Sequence, residues 1–259
     1  DGYIGEPVSK SYALNAVKTI IGNDRAFAAI KADGSVVTWG RNDFGGDSRS
    51  ISAELIQVQS IAATQGAFAA IKADGSVVSW GLAIYGGDSN SVSASLTTVQ
   101  SVAASGGAFA VIKADGSVVS WGDAEYAGDN TAVSDQLTQV QSITASKRAF
   151  AAIKADGSVV SWGEAGYGGD SSAVNDQLSN VQSIVATEYA FAAIRADGTV
   201  VSWGNTTLGG DSSEVSASLT NVQSITATDL SFAALKADGS VVTWGNPTYG
   251  GNSNSVSEE

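Results

Sequence analysis

The 259-residue chain has no cysteine, no histidine and no methionine, and only two prolines. Without cysteine there is neither a disulfide framework nor a thiolate metal site. Without histidine the usual general base and the commonest transition-metal ligand are missing. Methionine is lacking even at position 1, so a processed form or a piece of a longer chain is expected. Basic residues are scarce, 13 against 26 acidic ones, for a formal charge of −13. A phosphate backbone needs a basic footprint, so neither nucleic acid nor an anionic membrane is expected as a partner. No apolar run approaches the ~18 residues of a membrane helix, and the first residues lack a signal-peptide pattern. The acidic balance favours solubility and suits an extracellular or cell-surface setting. Glycine is frequent, at 30 residues. With abundant Val, Ser and Thr it points to short strands joined by tight turns.

What is present is a repeat. The stretch FAAIKADGSVVTWG at 27–40 has near-copies starting at Phe68, Phe109, Phe150, Phe191 and Phe232, always 41 residues apart. Trp39, Trp80, Trp121, Trp162, Trp203 and Trp244 keep the spacing. A fixed period near ~40 residues marks stacked supersecondary units. Within one copy, FAAIKA and SVVTWG flank Asp33-Gly34, a pair suited to a two-residue type I′ hairpin turn. That register places Ala28, Ile30, Val37 and Trp39 on one face and Phe27, Ala29, Lys31, Val36 and Thr38 on the other. Both faces are largely apolar, so the sheet must be covered on both sides. VQSIAAT at 58–64 supplies an upstream strand, repeated from Val99, Val140, Val181 and Val222 and more loosely from Val17. VSASL at 92–96 is a candidate fourth. Three or four short strands per repeat, covered on both faces, describe a β-propeller blade, with a β-solenoid as the main rival.

FAAIKADGSVVTWG followed by NDFGGDS resembles the regulator of chromosome condensation (RCC) repeat. That pattern is a small-residue strand, an apolar strand ending in a Gly turn, and a strand ending in Trp-Gly. The short copies are even closer to those of the propeller-type β-lactamase inhibitor. The resemblance covers nearly the whole chain and implies a propeller, usually seven-bladed in that family. The expected fold is all-β: a six-bladed β-propeller of six 41-residue repeats. A seven-bladed or incomplete ring is the alternative. One domain is expected over 1–259, with blades near 14–54, 55–95, 96–136, 137–177, 178–218 and 219–259 and with 1–13 as a seam segment. Overlaying 1–13 on 247–259 matches Tyr3 with Tyr249 and Gly5 with Gly251. Six blades are therefore expected to close within one chain, 253–257 competing with 8–13 for the seam.

Two windows vary between the copies while the rest barely changes. One precedes the hairpin, from Asn23-Asp24-Arg25 to Thr228-Asp229-Leu230; the other follows Trp-Gly, from RNDF at 41–44 to NPTY at 246–249. In antiparallel strands both windows fall at the same end of the blade, opposite the constant Asp-Gly turns. This is how a rigid scaffold presents binding loops. The first window contributes Arg25, Lys147, Arg148, Tyr189 and Leu230 as candidate binding residues. The second contributes Arg41, Phe44, Leu82, Ile84, Tyr85, Tyr126, Tyr167 and Tyr249. Arg and aromatic residues are enriched at interface hot spots. Drift of unconstrained loops is the plain alternative.

The remaining motifs favour structural roles. The Trp and Phe series are expected to pack between blades. Lys31 and its equivalents are expected to snorkel beside the hairpin turn and pair with the following Asp. The Gly-Gly-Asp loops (Asp47, Asp88, Asp129, Asp170 and Asp211) offer one carboxylate each, which suits a turn better than a Ca²⁺ site. Asp123 and Glu125 lack any partner motif for catalysis. The expectation is thus a monomeric, non-enzymatic binding module, with no metal or cofactor, whose variable rim recognises a macromolecular partner, a protein. The resemblance to the inhibitor implies capping of an enzyme's active site with that face. A spacer unit in a large surface adhesin and a carbohydrate-binding or carbohydrate-active protein are the alternatives.

Overall fold

The computed structural model describes residues 14–254. The expected seam segment 1–13 and the end of the tail, 255–259, lie outside the described residues. Each repeat forms one antiparallel three-stranded sheet. In blade 1 these are β1 (Val17–Gly22), β2 (Ala26–Lys31) and β3 (Val36–Gly40), hydrogen-bonded in that order. The same triplet recurs at 58–81, 99–122, 140–163, 181–204 and 222–245, giving six separate blades. First strands of successive blades adjoin one another and so surround the axis. Their exposed residues, such as Gln100 and Ser101, give that inner wall a polar lining.

The hairpin register differs from the expected one. Phe27 pairs with Trp39, Ala28 with Thr38, Ala29 with Val37 and Ile30 with Val36. The turn is one residue longer than a two-residue type I′ loop. The Gly34 N–H donates to the Lys31 carbonyl and the Lys31 N–H to the Ser35 carbonyl, both at 2.9 Å. Gly34 takes the left-handed conformation at φ +79°, as in a three-residue hairpin closed by a bulge. Asp33 adds the bond that selects this loop, its carboxylate accepting from both the N–H and the hydroxyl of Ser35. A one-residue slip exchanges faces along one strand. Phe27 and Trp39 therefore stack on a common face, ring centres 5.3 Å apart. VSASL is not a fourth strand: Asn90–Ser95 is a 3₁₀ helix on the path to the next blade.

This register explains why both faces are apolar. One face of blades 1 to 5 offers Ala-x-Ala-x-Ile (Ser-x-Ala-x-Leu in blade 6), the other face a Phe–Trp pair, and the two meet between neighbours. Between blades 1 and 2, Ala26, Ala28 and Ile30 pack against Phe68, Ala70 and Trp80, with Leu55 and Val58 closing the cluster. Alanine is required because larger side chains would hold the sheets apart. Four further clusters repeat this contact through to blade 6. The five later indoles also reach back 35 residues: Trp80 Nε1 donates to the Gly45 carbonyl at 3.1 Å and Trp121 Nε1 to that of Gly86 at 2.9 Å. Gly45 has φ +86°, and a Cβ there would lie 2.8 Å from the Phe68 ring. In blades 2 to 6 the Trp and Phe series are thus core, as expected.

The expected closure of blade 6 on blade 1 is not made among the described residues. Phe27 is 46 % exposed and Trp39 37 %, whereas the five later Phe–Trp pairs are buried. Among the described residues the six blades share five interfaces, and the expected seam segment lies outside them.

Candidate functional site

Both variable windows lie at the same end of each blade, opposite the Asp-Gly turns. The first is the turn between the first and second strands. Its middle residue carries a backbone bond to the next blade: Gln65 N–H to the Gly106 carbonyl at 3.0 Å, Gly106 to Lys147 at 2.9 Å, Lys147 to Glu188 at 3.0 Å. A main-chain bond is indifferent to side chain, so this position varies freely while its backbone stays fixed. The second window winds into a 3₁₀ turn such as Asn42–Phe44, ended by a left-handed residue such as Gly45.

The first position of the first window is more constrained than the sequence comparison recognised. Asn23, Thr64, Ser105, Ser146, Thr187 and Thr228 each bond the carbonyl at the end of the second window. Asn23 Nδ2 donates to the Phe44 carbonyl at 2.8 Å and Ser105 Oγ to that of Tyr126 at 2.7 Å. The same side chain accepts an N–H three residues on, as Thr64 does from Ala67 at 3.0 Å. The signal was visible, since all six residues are Asn, Ser or Thr. It was masked by the changes beside them.

The candidate side chains pack on one another. Arg25 and Arg41 are exposed, and both guanidinium groups lie 4.9 Å from the ring centre of Phe44, which is buried. Arg41 also pairs with Asp43 at 2.6 Å. Tyr85 meets Tyr126 edge to face at 6.1 Å, and both rings need the glycine at 107, where a Cβ would lie 2.9 Å from each. At Gly66 a Cβ would lie 2.5 Å from Tyr85 and 3.1 Å from Leu82. Tyr167 stacks on Tyr189 at 4.7 Å. Of the candidates Leu82, Ile84, Tyr85 and Tyr189, only Ile84 is fully exposed, at 62 %; the others are half-buried. Leu230 is half-buried and Tyr249 exposed, both on blade 6.

The densest polar grouping centres on Arg148. Its guanidinium lies 4.8 Å from the Tyr126 ring and 5.3 Å from that of Tyr167. It bonds Glu164 at 3.0 Å and approaches Glu125 at 3.8 Å. Arg148, Glu125 and Glu164, with Ala124 and Gly163, line a groove of about 380 Å³. Burial pushes the Tyr167 phenol above its ordinary range, the largest effect on it. Nearer the axis, Lys147 bonds Glu188 at 3.0 Å, and that bond raises its pKa. Asp123 is a cap, its carboxylate accepting the Glu125 N–H at 2.9 Å.

The Gly-Gly-Asp carboxylates accept the N–H two residues on, as in Asp129 with Thr131 at 2.9 Å. They close turns, and among the described residues no group of three or more acidic side chains is gathered as a metal would need. The cationic series pairs with its turn aspartates at long range, Lys72 with Asp74 at 3.8 Å.

No family model matches the chain, and no curated protein does. Solved structures do match. Yeast RCC1 (Prp20), in a crystal structure bound to Kap60, is 17 % identical with a TM-score of 0.54, over 88 % of this chain and 70 % of that one. Prp20p from Saccharomyces cerevisiae, in a study of its binding to Gsp1p and histones, is 18 % identical with a TM-score of 0.54, over 88 % and 72 %. The CRINKLY WD40 ectodomain of the Arabidopsis thaliana receptor kinase ACR4 is 18 % identical with a TM-score of 0.50, over 88 % and 85 %. These likenesses are of fold, and the fold is that of an RCC-type propeller.

Proposed function

We propose that this chain is a non-enzymatic protein-binding module whose variable-window face recognises a partner protein. The observation that carries the reading is the contrast within each blade. The packing core is nearly invariant, while one rim is furnished differently in every copy with Arg, Tyr and acidic side chains that hold one another in place. Rings and guanidinium groups already ordered by neighbours lose little entropy on binding. The cluster of Arg148 with Tyr126, Tyr167 and Glu164, beside this groove, is the anchor point, since Arg and Tyr are enriched among interface hot spots. Propellers of this shape serve such a role elsewhere: yeast Prp20 is named with Kap60, Gsp1p and histones. A sharper form of the reading is a propeller that caps an enzyme's active site with this face.

The test is capture of partners from the native source by this chain, beside a version whose twelve windows are all replaced by those of blade 2 and a version carrying Arg148→Ala and Tyr189→Ala. A partner held by the first and lost by the other two supports the proposal. Equal capture by all three, or capture by none, sinks it. One observation favours a second reading, a spacer unit. The windows are matched to one another, Gly66 to Tyr85 and Gly107 to Tyr126, as expected of a chain that preserves only its own packing. The same experiment separates the two.

A further inference from the structure

One motif in the variable windows has no part in the Arg148 cluster. Of the twelve asparagines in the chain, Asn205 alone begins an Asn-x-Ser/Thr triplet whose middle residue is not proline, Asn205-Thr206-Thr207. That triplet is the acceptor pattern for N-linked sugar, which is bulky and needs a surface turn. Blade 5 supplies such a turn. Asn205 directly follows the third strand, Val200–Gly204, and caps the 3₁₀ segment Thr206–Leu208. Its backbone is extended, at φ −66° and ψ 117°, and its N–H donates to the Tyr189 carbonyl at 3.0 Å. Asn205 is half-buried, whereas Thr206 and Thr207 are exposed. The side-chain oxygen accepts from the Thr207 N–H at 3.1 Å and from the Thr207 hydroxyl at 2.9 Å. Among the described residues Asn205 Nδ2 donates to no group. The equivalent position holds Arg41, Leu82, Asp123, Glu164 and Asn246 in the other blades. Asn246 forms the same cap, accepting from the Thr248 N–H at 3.0 Å, but Pro247 closes its triplet to sugar transfer.

We propose that Asn205 is the acceptor for an N-linked oligosaccharide. The donor is an oligosaccharide carried on a lipid diphosphate. Asn205 Nδ2 forms a bond to the anomeric carbon of the donor's terminal sugar. The bond from that carbon to the diphosphate oxygen breaks, its electron pair leaves with the diphosphate, and Nδ2 gives up one proton. Nothing is oxidised or reduced. The turn serves this transfer in two ways. Thr207 ties down the side-chain oxygen and so fixes the amide with its nitrogen unbonded. The bond from the hydroxyl to Oδ1 also polarises the amide, which makes the Nδ2 hydrogens easier to lose. Capping alone does not call for an amide, because Asp123 caps the same turn in blade 3 with a carboxylate that accepts the Glu125 N–H at 2.9 Å. The sugar stands on blade 5, whereas the Arg148 groove is lined by blades 3 and 4. The assignment is therefore independent of any partner held at that groove.

The experiment maps the protein isolated from its native source by peptide mass spectrometry, before and after treatment with peptide N-glycosidase F. The full chain and its variants are also secreted from cultured eukaryotic cells behind an added leader. The expected peptide around Asn205 carries one oligosaccharide, which the glycosidase removes to leave aspartate. Every other asparagine, Asn246 included, stays bare. Asn205→Asp keeps a capping oxygen and loses the acceptor nitrogen. That variant should leave the cell without sugar, and its thermal melt should match that of the glycosidase-treated chain. Thr207→Ala should also lose the sugar although Asn205 is in place, and Thr207→Ser should keep it. Three outcomes overturn the proposal. The peptide from the native protein is bare at Asn205. The sugar maps to a different asparagine. Or the secreted Asn205→Asp or Thr207→Ala chain keeps the full mass of the sugar.

Discussion

The indole N–H of the repeated tryptophan is the residue-scale link between blades. Trp121 donates it to a carbonyl that has no other route to a partner inside the interface. Trp121→Phe should leave that carbonyl buried and unpaired, at about 1–3 kcal/mol, and should lower the thermal midpoint by several degrees. Trp39→Phe, whose indole meets no acceptor among the described residues, should move it far less. Paired thermal melts of the two variants check this. The periodic tryptophan was plain in the sequence and so was its core role. The bond was not, because the acceptor sits 35 residues earlier in the loop of the preceding repeat. No local pattern encodes that separation. The same holds for the rim, where the varied positions could be read but not their pairing. Gly66 gives room to Tyr85 across a fold that periodicity alone does not place.

At the scale of the hairpin, the Asp-Gly pair announced a turn but not its length. The deciding group is the serine or threonine after the glycine, whose hydroxyl and N–H both bind the aspartate and so favour the longer loop. That hydrogen bond, before the backbone one, also holds the carboxyl of Asp115 below its ordinary range, and likewise at Asp33, Asp74, Asp156, Asp197 and Asp238. Arg49 holds Asp47 at about 2 in the same sense. A carboxyl depressed in the folded state contributes stability above its unfolded pKa and loses it as pH falls through the folded value. Stability should therefore be level from neutral pH to about 4 and decline below it. Ser117→Ala should return the Asp115 titration towards the ordinary value, as carboxyl NMR would register. If Asp115 titrates unchanged in that variant, the hydroxyl is not what selects the turn.

Across the whole molecule, stability is a chain of five nearly equal interfaces, as in other repeat architectures. Blades 3 and 4 are covered on both faces, whereas blades 1 and 6 each have one bare face. Amide exchange should thus be slowest in the second strands of blades 3 and 4 and fastest in blade 1 and the third strand of blade 6. Equal protection in all six would show the seam to be filled. Six copies, an all-β fold and a propeller were legible from period and composition. The uneven cover at the two ends was not, because blade 1 carries the same Phe–Trp pair as the five copies in which that pair is buried.

The 3₁₀ segments between blades have an effect beyond linking them. In blades 3 to 6 the outermost strand has no strand beyond it, and the preceding 3₁₀ helix lies against it instead. A bare strand edge is a template for uncontrolled sheet growth between molecules. Each repeat therefore brings the guard for the blade that follows it, and a chain built from near-identical β units, the composition most prone to aggregate, can lengthen by whole repeats without accumulating sticky edges.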